Sequence, residues 1–113
     1  MTNRVYELHA QMCKVFTSSK RLEILNLLRD KELSVTELTD HAKISQANLS
    51  QHLSILREKG IVQTRRDGLK IYYSLTNKKI IAAFDIIREV LLDKLAHAEK
   101  LSKDMKKDKR TAR

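Results

Sequence analysis

The sequence has no proline and only two glycines among 113 residues. That scarcity excludes collagen-like and low-complexity chains and any glycine-rich phosphate loop, whose backbones need many residues free to take positive φ. It also argues against a many-turned β-sandwich, because such turns draw on both residue types. The single cysteine, Cys13, leaves no internal disulfide and no all-cysteine zinc site within one chain. No apolar run approaches the ~18–20 residues needed to cross a bilayer, so no membrane partner is expected. The opening stretch, MTNRVYELHAQMCKVF, is amphipathic and interrupted by charge, unlike a signal peptide, and the expected location is the cytoplasm. There is no serine elbow and no His-Glu-x-x-His pattern, so an enzyme is not expected.

What is present has a globular balance, 42% hydrophobic and 33% charged, in a length that suits one domain with a modest core. The formal charge is +9, which favours a polyanionic partner. Its distribution is uneven: residues 57–79 carry a net +5 and residues 102–113 a net +4, while the remaining segments cancel.

Val5, Leu8, Met12, Val15 and Phe16 recur at helical spacing and predict a first helix over about 3–16. Thr17-Ser18-Ser19 supplies a cap, with Ser19 able to start a second helix in which Leu22, Leu25 and Leu28 face the core. Ser34 opens a third helix that runs to about Ala42 and buries Val35 and Leu38. Ser45 then caps a fourth helix whose Leu49, Leu53 and Leu56 form an apolar stripe, and Gly60 is the expected left-handed stop.

Beyond Gly60 the period changes from 3.6 to 2. Val62, Thr64 and Arg66 alternate with Gln63 and Arg65, and Ile71, Tyr73 and Leu75 alternate with Tyr72 and Ser74. Asp67-Gly68 between them predicts a tight hairpin turn. A long helix follows, carrying Ile80, Ile81, Phe84, Ile87, Val90, Leu91, Leu95 and Ala98. The expectation is a mainly α (α+β) fold: a winged helix-turn-helix with a two-stranded β-hairpin wing and extra N- and C-terminal dimerisation helices. It occupies residues 1–101, and 102–113 form a basic, disordered tail.

The turn between helices three and four falls near Lys43-Ile44, with Ile44 as its apolar plug. On the fourth helix, Ala47, Ser50, Gln51 and Ser54 lie opposite the leucines, with Asn48 at the flank. A face meant only for water would use Glu, Lys or Arg, whereas these small and amide side chains suit base edges. Ser45, Gln46, Ala47, Asn48, Ser50 and Gln51 are therefore the candidate DNA-reading set. No acidic residue occurs from 41 to 57, which suits a surface pressed on phosphates. Arg65, Arg66 and Lys70 flank the hairpin tip as candidate backbone contacts to double-stranded DNA. The competing reading is a winged-helix module for protein binding or for nucleic acid without sequence preference.

Thr17 to Leu28, Glu32 to Leu38, Ile44 to Leu53 with its Ser50-Gln51-His52-Leu53 block, and Asp67-Gly68 through Tyr72-Tyr73 together resemble the ArsR/SmtB transcriptional regulators. The resemblance covers roughly residues 5–101 and implies a homodimeric repressor that leaves a palindromic operator when it meets an inducer or redox signal. It also implies that the first and last helices form the dimer interface, in keeping with the wide apolar stripe of the last helix. One departure is Ser18-Ser19-Lys20-Arg21, where many relatives have Asp-Pro-x-Arg.

Metal-sensing relatives often carry thiols in the third-helix box, but here Ser34 and Thr36 stand at those positions, and hydroxyls are poor ligands for soft cations. A second family pattern, linking the last helices of two subunits, fits neither when it starts at Asp85 nor when it is anchored on His97, because apolar residues fall at the ligand positions. Asp85, Glu89, Asp93 and His97 recur at intervals of four, as a solvated face balanced by Arg88 and Lys94 or as a metal site of Asp93 and His97 across a dimer. Cys13 and His9, one helical turn apart, are the sensor candidates, for a metal ion or a thiol-reactive ligand. The plain alternative for Cys13 is packing. His52, at the edge of the leucine stripe, suits a structural or phosphate-contacting role.

Overall fold

The structure, a computed structural model, describes residues 2–111, with side chains to residue 107. The chain divides into two compact units, Met1–Lys78 and Lys79–Arg113.

The first unit holds α1 (Asn3–Val15), α2 (Ser19–Leu27), β1 (Leu33–Ser34), α3 (Val35–Ala42), α4 (Gln46–Glu58), β2 (Val62–Asp67) and β3 (Lys70–Leu75). Its core is aliphatic: Ile24, Leu25, Leu28, Leu38, Leu49, Leu56 and Ile61 are fully buried. Each such side chain contributes about 1.5–3 kcal/mol by leaving water.

In α2 the buried set is Ile24, Leu25 and Leu28, while Leu22 is only half-buried. On a wheel of about 100° per residue those three span one arc, and Leu22 lies about 60° beyond its edge. The cap of α2 is Ser18, whose hydroxyl accepts from the Arg21 amide at 3.3 Å, and Ser19 is already helical.

Helix α3 starts with a reciprocal box. Ser34 Oγ accepts from the Glu37 amide at 3.2 Å, and Glu37 Oε1 accepts from the Ser34 amide at 3.1 Å. Two otherwise orphaned amides are thereby satisfied. These hydrogen bonds hold the Glu37 carboxyl below its ordinary pKa. Leu38 is buried as expected, and Val35 is half-buried.

The sheet has three strands, not two, in the order β1-β3-β2, all antiparallel. The extra strand pairs Leu33 with Tyr73 and Ser34 with Tyr72. In the hairpin, Asp67 pairs with Lys70, so the turn centres on Gly68-Leu69 and Asp67 belongs to β2. Gly68 has φ +63° and Leu69 does not share the positive sign, the pattern of a type II′ turn. At the base of the hairpin, Thr76 Oγ1 donates to the Gly60 carbonyl at 2.7 Å, and the Thr76 amide donates to the Ile61 carbonyl at 3.1 Å.

The second unit is one helix, α5 (Lys79–Thr111). Residues 102–111 continue it, so the expected disordered tail is helical as far as the structure describes it. This segment lacks Gly and Pro and is rich in lysine, a good helix former, and Lys103 pairs with Glu99 one turn back at 3.2 Å. Residues 112–113 lie outside the described residues.

Candidate nucleic-acid interface

Helices α3 and α4 are joined by Lys43-Ile44-Ser45, a three-residue turn. Lys43 takes the left-handed conformation at φ 55°, ψ 45°, and its amide donates to the Thr39 carbonyl at 2.9 Å. From α2, Lys20 Nζ donates to the Ala42 carbonyl at 2.9 Å, covering an open helix end and tying α2 to the turn. Ile44 is half-buried, as a plug should be.

Ser45 caps α4, its hydroxyl accepting from the Asn48 amide at 3.2 Å. At the other end, the Ile61 amide donates to the Leu56 carbonyl at 2.9 Å and the Gly60 amide to the Arg57 carbonyl at 3.0 Å. With Gly60 at φ +72° this is a Schellman motif, sealed by the buried pair Leu56 and Ile61. Leu49, Leu53 and Leu56 are buried, while Ser45, Gln46, Ala47, Asn48, Ser50, Gln51 and Ser54 are all exposed. The expected amide-and-hydroxyl face therefore faces outward on a helix fixed at both ends.

The wing tip comes to the same side. Gln46 at the start of α4 lines a groove of about 270 Å³ with Ser34, Val35, Thr36, Leu69, Lys70 and Ile71. Leu69 is 99% exposed at the tip. Arg66 and Lys70 form no ion pair among the described residues. Arg65 is engaged: its guanidinium meets Glu32 through two nitrogens and lies 4.8 Å over the Tyr72 ring. The three wing cations thus differ in what they have free to offer, which the residue pattern could not reveal. Glu32, missed as a functional residue, lies 33 positions from Arg65 and carries no local signal.

His52 is half-buried on α4, and its Nδ1 is buried without a hydrogen-bond partner. Burial pushes the imidazole pKa down, and the nearby Arg21 and Lys20 charges add to that. It is therefore a neutral group at neutral pH.

Of the sensor candidates, Cys13 is an exposed free thiol on α1, with His9 also exposed one turn earlier. Asp93 and His97 are exposed on α5. Among the described residues, no three His, Cys, Asp or Glu side chains gather into a metal-binding group. Ser34, at the family's thiol position, is 6% exposed and committed to the cap of α3, so it fits no metal.

A helix-turn-helix flanked by a β-hairpin whose tip lies beside the second helix defines a winged helix-turn-helix. Comparison with known proteins agrees. Residues 18–64 match the family described as "Bacterial regulatory protein, arsR family". The chain is 37% identical over 79 residues to the transcriptional activator HlyU of Vibrio cholerae, covering 70% of this chain and 73% of that protein. The crystal structure of Rv0081 from Mycobacterium tuberculosis superposes with a TM-score of 0.76 at 34% identity, covering 84% of this chain and 96% of that one. A solution structure from Mycobacterium bovis, described as a homodimeric winged helix-turn-helix DNA-binding domain, gives 0.75 at 25% identity, covering 86% and 93%. The chain belongs to the ArsR family of transcriptional regulators. It is a DNA-binding regulator and not an enzyme. No helix among the described residues is long and apolar enough to cross a membrane.

Proposed function

We propose that this regulator acts in the cytoplasm as a homodimeric repressor on a two-fold symmetric operator. The observation that carries the reading is the exposed, acid-free face of α4 beside the cationic wing tip. Gln46, Asn48, Ser50 and Gln51 reach base edges, where amides pair bidentately with adenine and hydroxyls donate or accept. Ser45 and Ala47 allow the close approach, while Arg66 and Lys70 hold the backbone.

Dimerisation rests on two apolar faces. Val5, Tyr6, Leu8 and Met12 are exposed on α1, and Ile87, Val90, Leu91 and Leu95 are exposed on α5, a cost that burial against a second copy removes. The two α4 helices then fall about 34 Å apart, one turn of B-DNA. Sedimentation at micromolar protein is expected to show a dimer, and a monomer would remove this part.

The deciding experiment is a salt titration against palindromic and scrambled duplexes. Gln51→Ala is expected to erase the preference between them. Arg66→Ala is expected to weaken both alike and to flatten the salt slope by about 0.9. Equal effects of both variants on all DNA would leave binding without sequence preference. Because HlyU is named an activator, a promoter-reporter assay fixes the sign of regulation.

For release from DNA, the group put forward is the exposed Cys13, with His9 beside it, meeting a thiol-reactive ligand or a metal ion. Cys13→Ser is expected to abolish induction. Retained induction would move attention to Asp93 and His97.

A further inference from the structure

The three wing cations look equivalent in sequence, yet Arg65 differs from its neighbours in geometry. The strand register lines up Ser34, Tyr72 and Arg65 in one row across β1, β3 and β2. Adjacent strands lie about 4.8 Å apart, so the Arg65 side chain must cross β3 to reach anything at the β1 edge. It does so by lying over the Tyr72 ring, 4.8 Å from its centroid. Beyond the ring, Nε meets Glu32 Oε2 at 3.0 Å and Nη2 meets Oε1 at 2.5 Å, a fork-to-fork pair. Asp67 Oδ2 stands 4.0 Å from Nη1. Any phosphate approaching this guanidinium would meet two carboxylates in direct contact with it, whereas Arg66 and Lys70 form no ion pair among the described residues.

We propose that Arg65 is a positioning residue and not a phosphate ligand: laid over Tyr72 and forked onto Glu32, it ties the outer strand of the wing to the segment before β1 and so aims the tip. The hydrogen bonds from Arg65 also hold the Glu32 carboxyl below its ordinary pKa, so the pair stays charged throughout the physiological range. The proposal rests on the DNA-binding reading only for its effect on affinity, since the tie itself is a property of the free protein.

Two variants separate the roles, because a phosphate contact and a positioning tie predict different outcomes for each. Arg65→Lys keeps the cation but loses the fork, and Glu32→Gln adds net positive charge. Positioning predicts that both weaken operator binding, by about threefold to fivefold for an exposed ion pair, with an unchanged salt slope. A phosphate contact predicts near-normal binding for Arg65→Lys and tighter binding for Glu32→Gln, and either result would overturn the proposal. On the protein without DNA, amide exchange in β2 and at the tip is expected to quicken in both single variants, and unchanged exchange would equally overturn it. If the wild type binds no duplex selectively, the operator reading falls while the exchange experiment still decides the role of Arg65.

Discussion

The recognition helix and the wing are held in place by opposite means. Helix α4 is secured locally: Ser45 caps one end, Gly60 closes the other, and three leucines of its own turn into the core. The wing is secured at long range, by Thr76 on Gly60 at its base and by Arg65 on Glu32 across the sheet. The helix offers small neutral side chains at fixed positions, which suits discrimination among bases. The wing offers charge on a lever, which suits affinity. Rigidity and chemistry are matched in each region.

Cutting the fastening of α4 gives the largest effect. Leu53→Ala should cost about 2–5 kcal/mol of stability in urea unfolding, because a buried side chain is lost and a cavity remains. A loss below 1 kcal/mol would mean that the helix is held mainly by its caps.

The two glycines test the contrast at a smaller scale. Both have positive φ, and an added Cβ would meet no atom within 4 Å at either, so only backbone strain is charged. Gly60→Ala should lose the full ~1–2 kcal/mol of a left-handed alanine, since the Schellman bonds cannot be made otherwise. Gly68→Ala should lose less in global unfolding, because the exposed tip can rearrange by itself. Equal losses would show that the wing tip is as rigid as the helix end.

The smallest effect concerns pH and belongs to His52. Its folded pKa is depressed, so the stability it contributes is present above the unfolded value of about 6.5 and is lost as pH falls through the lower folded value. Wild type should therefore weaken between neutral pH and the onset of carboxylate titration, and His52→Gln should flatten that slope. An unchanged slope would show that the imidazole protonates freely in the folded state.

Much of the helical half is legible in the residues because its determinants lie within a few positions of one another. Ser45, the Leu49-Leu53-Leu56 stripe and Gly60 each act on backbone that they adjoin. The misread features share a different property. Strand β1 is two residues long and exists only because Tyr72 and Tyr73, nearly forty positions later, supply its partners. Asp67 falls in β2 because the register pairs it with Lys70. The cap falls on Ser18 and not on Ser19, and Ile24 displaces Leu22 because the buried arc is set by what packs against α2.

The scarcity of glycine and the absence of proline thus determine a helical chain with two reserved backbone events, and Gly60 and Gly68 occupy both. The amide face and the basic segment likewise follow from residue type and spacing alone. What the tertiary structure decided is which cations are free. Sequence sets how many charges a wing carries, but pairing depends on distances across the sheet, and only the folded chain brings Glu32 to Arg65 while leaving Arg66 and Lys70 to their own contacts.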